Sequence, residues 1–291
     1  MPIMTNDATP STDTSRSTAP VALTIAGSDP SGGAGLQVDL KTFHALRCYG
    51  TAVVSLLTVQ NTRSVERVEL VDAELVVEQI RHLVGDVPPA AVKTGALGSA
   101  ELIGAVAAEL AEIDAPIAVD PVMISKHGDP LLPEDAVGAL RDRLLPMAHV
   151  VTPNRLEAAA LSGVEIANEA DARRAAERLL EFGARAVVVK GVPGGDTLEE
   201  SGGRRARDLL LTRDAAPRIL DAERVETRNL HGSGCVFAAA ITARLAHGDE
   251  PGDAAVYAKR FVSRAIRDAP ELGGGYGPLN LFAKIGEKSA D

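Results

Sequence analysis

Cysteine is scarce in this chain. Only Cys48 and Cys235 occur among 291 residues, too few for a disulfide framework or a cysteine-rich metal site. No block of Lys and Arg offsets the acidic excess, which leaves a formal net charge of −10, so neither nucleic acid nor an anionic membrane is expected as the main partner. Any phosphate chemistry must therefore be local. Nothing resembles a signal peptide or a membrane span, and the cytoplasm is the expected compartment. His44, His82, His127, His149, His231 and His247 are scattered without ligand spacing, and no zinc site is expected.

What is present suits a sizeable core: 45% of the residues are hydrophobic, enough for one large domain or two small ones. Residues 1–20 are rich in Ser, Thr, Pro and Asp without periodic apolar residues, which predicts a disordered tail. Apolar runs then recur at 21–26, 52–59, 90–92, 117–119, 149–151 and 186–189, each of strand length. Helical patterns fall between them. Leu102, Ile103, Val106, Leu110 and Ile113 share a face behind Ser99 as a candidate N-cap, and Val76, Ile80, Leu83 and Val84 do so behind Asp72. This alternation predicts an α/β fold with a mostly parallel sheet covered by helices on both faces, whose site lies at the carboxyl ends of the strands.

Those ends carry distinctive chemistry. Gly27 to Gly35 follows the first run, Gln60-Asn61-Thr62 the second, Lys93-Thr94-Gly95 the third and Asp120-Pro121-Val122-Met123 the fourth; Thr152 to Glu157 and Lys190-Gly191 complete the series. Singly each reads as a loop or cap. Together they read as one site. Two familiar phosphate motifs are excluded, because the first glycine loop lacks the Gly-Lys-Ser/Thr ending of a P-loop and Gly33 to Val38 lacks the third glycine of a dinucleotide fingerprint. The phosphate loop is placed instead at Gly232-Ser233-Gly234-Cys235, which opens the apolar helical run Val236-Phe237-Ala238-Ala239-Ala240-Ile241. A cysteine at such a helix start is expected to have a lowered pKa, the competing reading being a small buried apolar residue.

The stretch from Ala26 to Phe43, with Gln60-Asn61-Thr62, Asp120-Pro121-Val122-Met123, Gly128 to Leu132, Thr152-Pro153-Asn154, Lys190-Gly191 and His231 to Cys235 in order, resembles the hydroxymethylpyrimidine and phosphomethylpyrimidine kinases of the ribokinase superfamily. The resemblance spans about residues 21–285, leaving 286–291 as a tail. It implies a ribokinase-like three-layer sandwich, usually a homodimer, that moves the ATP γ-phosphoryl group to 4-amino-5-hydroxymethyl-2-methylpyrimidine and then to its monophosphate. By that similarity Gln60 and Asp39, with backbone near Gly27 and Val122, would fix the pyrimidine. The backbone N–H groups of Gly232, Ser233, Gly234 and Cys235 would hold the phosphoryl oxygens, with Cys235 as proton acceptor. Asp120 and Glu157 would organise Mg²⁺ together with Asn154, and Lys190 would meet the ATP phosphates. For Asn154 and Glu157 the competing role is helix capping, and for Asp39 a helix-charge role.

The chain departs from the family pattern at two places, the first of which bears on substrate choice. Ala96 stands where relatives commonly place Met, leaving room for a bulkier pyridoxine-type alcohol. Residues 192–207 are unusually rich in Gly and Arg and are expected to form a flap near the nucleotide, with Arg204, Arg205 and Arg207 solvated or touching phosphate. The alternatives are a pyridoxal or pyridoxine kinase and, from another class, a vitamin- or nucleotide-sensing binding protein.

Overall fold

The structure is a computed structural model, and it describes residues 19–123, 132–193 and 205–282. The expected tails at 1–20 and 286–291 lie outside the described residues, except Ala19 and Pro20, whose region already joins the sheet: the Tyr49 N–H donates to the Pro20 carbonyl at 2.9 Å.

The apolar runs become β1 (Val21–Ser28), β2 (Tyr49–Gln60), β4 (Ala91–Thr94), β5 (Ile117–Val119), β6 (Val150–Val151) and β7 (Ala186–Lys190). These six pair in parallel in the order β2-β1-β4-β5-β6-β7. Three further strands extend the sheet antiparallel: β3 (Val65–Leu70) beside β2, and β8 (Arg205–Thr212) with β9 (Ala215–Glu223) beyond β7. The chain leaves β1 outward to β2 and β3, then returns to the other side of β1 at β4. Strand order reverses there, which opens a crevice at the carboxyl ends of β1 and β4.

Helices cover both faces. On one, α1 (Gly35–Ala45), α7 (Ser233–Ala246) and α8 (Pro251–Arg267) bury Phe43, Val236, Ile241 and Phe261 against Ala22, Val150 and Val188. On the other, α2 (Ala73–Asp86), α3 (Ala100–Leu110), α5 (Arg155–Ser162) and α6 (Glu169–Glu181) bury Ile80, Ile103, Leu161 and Leu179 against Leu23, Ile25 and Val187. Between α3 and α5 runs the short α4 (Glu134–Ala139), continued by helical turns over Leu140–Leu144 and Leu145–Met147. The expected caps are in place: the Asp72 carboxylate accepts from the Glu74 and Leu75 N–H groups, and the Ser99 hydroxyl oxygen accepts from Leu102 at 3.1 Å. Three layers, parallel at the centre, are the expected ribokinase-like sandwich.

Candidate active site

The strand ends converge on a cavity of about 1250 Å³. One wall begins where β1 ends. There the Asp29 carboxylate accepts from the Ser31 N–H (2.9 Å), the Ser31 hydroxyl (2.9 Å), the Ala34 N–H (2.8 Å) and His231 Nε2 (2.7 Å). Burial works to raise its pKa, but the bonds from His231 and Ser31 outweigh that and hold the carboxyl below its usual range. Asp29 thereby folds the first glycine loop around itself and ties it to the second.

The two loops interlock. Gly232, the N-cap of α7, has φ 73°, and a Cβ there would run into the backbone carbonyl of Gly33; a Cβ on Gly33 would strike the His231 ring. Only glycine satisfies both the left-handed backbone and this closeness. The first turn of α7 then opens on the cavity. One of the amides expected to meet phosphate is engaged within the protein: the Ser233 N–H is spent on the Leu230 carbonyl at 3.2 Å, which leaves the Gly234 and Cys235 amides of the helix start as the candidates for that contact.

Lys190 stands over this turn. Its ammonium donates to Asp120 at 3.2 Å, and a Cβ on Gly234 would sit 3.2 Å from Nζ. Asp120 Oδ1 also accepts from the Thr152 hydroxyl at 3.2 Å, while a Cβ on Gly234 would lie 3.9 Å from Oδ2. Burial disfavours the Lys190 charge, but Asp120 and Glu157 more than compensate and its pKa is raised. Asn154 and Glu157 form a capping box on α5: Asn154 Oδ1 accepts from the Leu156 and Glu157 N–H groups, and Glu157 Oε2 accepts from the Asn154 N–H at 2.7 Å. The capping role assigned to them as an alternative is thus occupied, although both also line the cavity. Burial, reinforced by the neighbouring Asp120 charge, pushes Glu157 up to about 7 against the pull of Lys190.

These groups fit Mg²⁺ in its usual phosphate-sharing mode. Among the described residues no three His, Cys, Asp or Glu side chains gather as a ligand set, whereas a magnesium ion held with phosphates needs only one or two carboxylates and keeps its waters. The Asp120 Oδ2 edge facing the anion loop, with Glu157 behind it, supplies that donor set.

The cavity is also lined by Gly27, Gln60, Ala96 and Val122. Asp39 does not join them. Thr24 and Lys93 are register partners on β1 and β4, so both side chains leave the same face of the sheet, and α1 sets Asp39 against them. Its Oδ2 accepts from Lys93 at 2.8 Å and from the Thr24 hydroxyl at 2.7 Å, with both ion-pair side chains fully buried. The expected contact with a substrate amine is therefore corrected: Asp39 lies beneath the floor and neutralises Lys93. Burial opposes the Lys93 charge, but Asp39, then Cys235 and Asp120, hold its pKa above the ordinary range.

Cys235 is corrected as well. The thiol is pushed up to about 12, not lowered, because burial dominates; Lys93 and the Gly35 N–H favour the thiolate, while Asp120 and Asp39 oppose it.

Lys93, Asp29 and His231 lie within the sequence motifs, yet sequence reasoning assigned them no role. The signal available for Lys93 was a cation closing an otherwise apolar run, a position too costly to leave unpaired. The expected flap falls on residues 194–204, outside the described ones, for its larger part. Of its described residues, Arg205 and Arg207 belong to β8, line the cavity and pair with Asp221 and Glu169 respectively.

The three-layer sheet with its site at the β1/β4 reversal defines a ribokinase-like kinase fold. More narrowly, the family model for phosphomethylpyrimidine kinase matches residues 29–280, and the chain belongs to that family. It is 44% identical to the hydroxymethylpyrimidine/phosphomethylpyrimidine kinase of Streptomyces coelicolor over 271 residues, covering 93% of this chain and 97% of the relative. Phosphomethylpyrimidine kinase from Clostridium difficile superposes with a TM-score of 0.72 at 36% identity, over 84% of this chain and 99% of that one. Staphylococcus aureus pyridoxal kinase in complex with AMP-PCP and pyridoxal gives 0.79 at 34% identity, over 91% and 94%.

Proposed function

We propose that this chain phosphorylates 4-amino-5-hydroxymethyl-2-methylpyrimidine and then its monophosphate, with ATP as donor and Mg²⁺ as the accompanying ion. The observation that carries the reading is that one cavity is lined both by Gln60 and Ala96 and by Lys190 and the α7 N-terminus, which supports an alcohol and a phosphate being held in the same site. In the first step the substrate hydroxyl oxygen bonds to the γ-phosphorus, the bond to the β-bridging oxygen breaks, and ADP leaves. The Gly234 and Cys235 amides with Lys190 stabilise the equatorial charge. Asp120, with Glu157 through water, would hold Mg²⁺, which supplies neutralisation of the phosphates when bound.

Cys235 is the candidate acceptor of the hydroxyl proton. With the thiol at about 12, only about one site in 10⁵ carries a thiolate at neutral pH, so the resting site presents no ready base and substitution of Cys235 decides the role. The second step differs, since the attacking phosphate oxygen carries no proton that must be removed. Leu57, Val59 and Leu70 stand exposed on β2 and β3, which supports a homodimer joined across that edge. No helix among the described residues is long and apolar enough to cross a membrane, and a cytoplasmic location suits two free cysteines.

Incubation with ATP, Mg²⁺ and either the pyrimidine or pyridoxal, with separation of mono- and diphosphate products, tests the assignment. Formation of the pyrimidine diphosphate supports it. Turnover of pyridoxal alone would replace it by the second reading, which the small Ala96 side chain favours, and turnover of neither would leave a binding protein.

A further inference from the structure

His231 is buried between the two glycine loops, and its Nε2 meets two neighbours. Asp29 Oδ2 lies at 2.7 Å and the terminal amide nitrogen of Gln60 at 3.3 Å. The two contacts cannot both be hydrogen bonds with the amide turned this way. An Asp29 carboxylate that already accepts from the Ser31 and Ala34 N–H groups is acceptor only, so the bond at 2.7 Å requires a hydrogen on Nε2. A nitrogen carrying that hydrogen has no lone pair for the Gln60 NH₂, and two donors would face each other. Amide oxygen and nitrogen are distinguished by their hydrogen-bond partners, and the reverse orientation removes the clash of donors and lets the Nε2 hydrogen, directed to Asp29, be shared weakly with the Gln60 oxygen.

We propose that His231, with its Nε2 hydrogen committed to Asp29, is a positioning residue that holds the Gln60 amide with its oxygen toward the imidazole and its NH₂ toward the cavity, where it donates to a ring nitrogen of the substrate. The proposal rests on the reading of the cavity as a pyrimidine site. Gln60 ends β2 and its amide has no other bonded partner among the described residues, whereas the imidazole is clamped by Asp29 on one edge and closely backed by Gly33. The direction of the amide is thereby inherited from a carboxylate in the first glycine loop. Such a site favours a heterocycle presenting an unprotonated ring nitrogen at that point and disfavours one presenting N–H or C–H there.

Neutron diffraction on the perdeuterated, substrate-free protein reads the orientation directly. Deuterium on His231 Nε2, with the Gln60 oxygen beside it and both amide deuteriums facing the cavity, is the expected result. A deuterated amide nitrogen beside His231 would overturn the proposal whatever the protein phosphorylates. The second arm uses the two pyridine analogues of the pyrimidine, each with one ring nitrogen replaced by C–H. In the wild type one analogue should lose at least about tenfold in kcat/KM, with kcat less affected than KM. His231→Ala and His231→Phe both remove the Nε2 hydrogen and free the Gln60 amide to rotate, so in each the loss should shrink to within about threefold. Undiminished discrimination in both variants would overturn the positioning role. Failure of the wild type to phosphorylate the pyrimidine at all would instead sink the functional reading, leaving the neutron result to decide the amide.

Discussion

Replacing Lys93 by Met should be among the most destabilising substitutions available in this chain. The ammonium and the Asp39 carboxylate are both fully buried and 2.8 Å apart. Beyond Lys93, Asp39 Oδ2 has only the Thr24 hydroxyl, and Oδ1 has no hydrogen-bond partner among the described residues. Removing the cation leaves a carboxylate in the sheet–helix interface with one neutral donor, a change that costs about 3–5 kcal/mol when a buried pair is broken from one side. Replacing both partners with apolar residues restores most of this, because two desolvated charges have been removed rather than one stranded. Lys93→Met/Asp39→Val should therefore lie within about 1–2 kcal/mol of wild type. Urea unfolding followed by far-UV circular dichroism measures it; the chain contains no Trp to report by fluorescence. A Lys93→Met cost below about 1 kcal/mol, or a double variant no more stable than the single one, would refute the pairing argument.

Three further outcomes are expected. Cys235→Ala should lower kcat about 10²-fold for the alcohol but under about tenfold for the monophosphate, whose attacking oxygen has no proton to give up; equal losses, measured separately on each substrate, would end the base assignment. Glu157 binds its proton more tightly in the folded chain, at about 7 against an ordinary value of 4.5; the native state then holds more protons between those values, so stability falls as pH rises from about 4.5 to 7, by about 3 kcal/mol in all. Glu157→Gln should flatten that slope in urea titrations across the same range. Ala96→Met should strengthen pyrimidine binding by up to roughly 1.5–3 kcal/mol and reduce acceptance of pyridoxal, and unchanged relative kcat/KM would show that position 96 does not touch the ring.

The six parallel strands were legible because strands buried on both faces must be apolar throughout, and such runs stand out from the polar loops around them. β3, β8 and β9 were not. Val65-Glu66-Arg67-Val68-Glu69-Leu70 lies at the sheet edge with most of its side chains in solvent, so its charged residues hide the strand. Arg205-Ala206-Arg207 reads as the end of a glycine- and arginine-rich loop until Asp221 and Glu169 are seen to neutralise the arginines. The strand-end clusters were legible as a site because polar residues repeated at the same end of successive runs. Their partners were not, since pairing depends on register: only the alignment of Thr24 with Lys93 decides that Asp39 faces a buried cation and not the cavity. The Cys235 thiol fails for a related reason. A helix start favours the thiolate, but the depth of the site outweighs it, and depth is set by residues far away in sequence.

The Asp29–His231 contact joins segments that are 202 residues apart in sequence. Asp29 shapes the first glycine loop through Ser31 and Ala34, and His231 immediately precedes the Gly232 turn that launches α7. Gly33 and Gly232 bring the two loops into backbone contact that any side chain at either position would block. Gln60 and the α7 N-terminus, the proposed substrate and phosphate contacts, are thus joined through His231 and Asp29 at the strand-order reversal. Displacing the imidazole would shift the Gln60 amide at one end and the Gly234 and Cys235 amides at the other. Because a transferring phosphoryl group requires its acceptor in line and its anion donors fixed in advance, a shared anchor of this kind would give the proposed substrate and phosphate contacts a common frame. On the proposed reading, the first glycine-rich loop needs neither the P-loop lysine nor the dinucleotide fingerprint: its glycines provide close approach to the second loop, and the second loop would supply the amides.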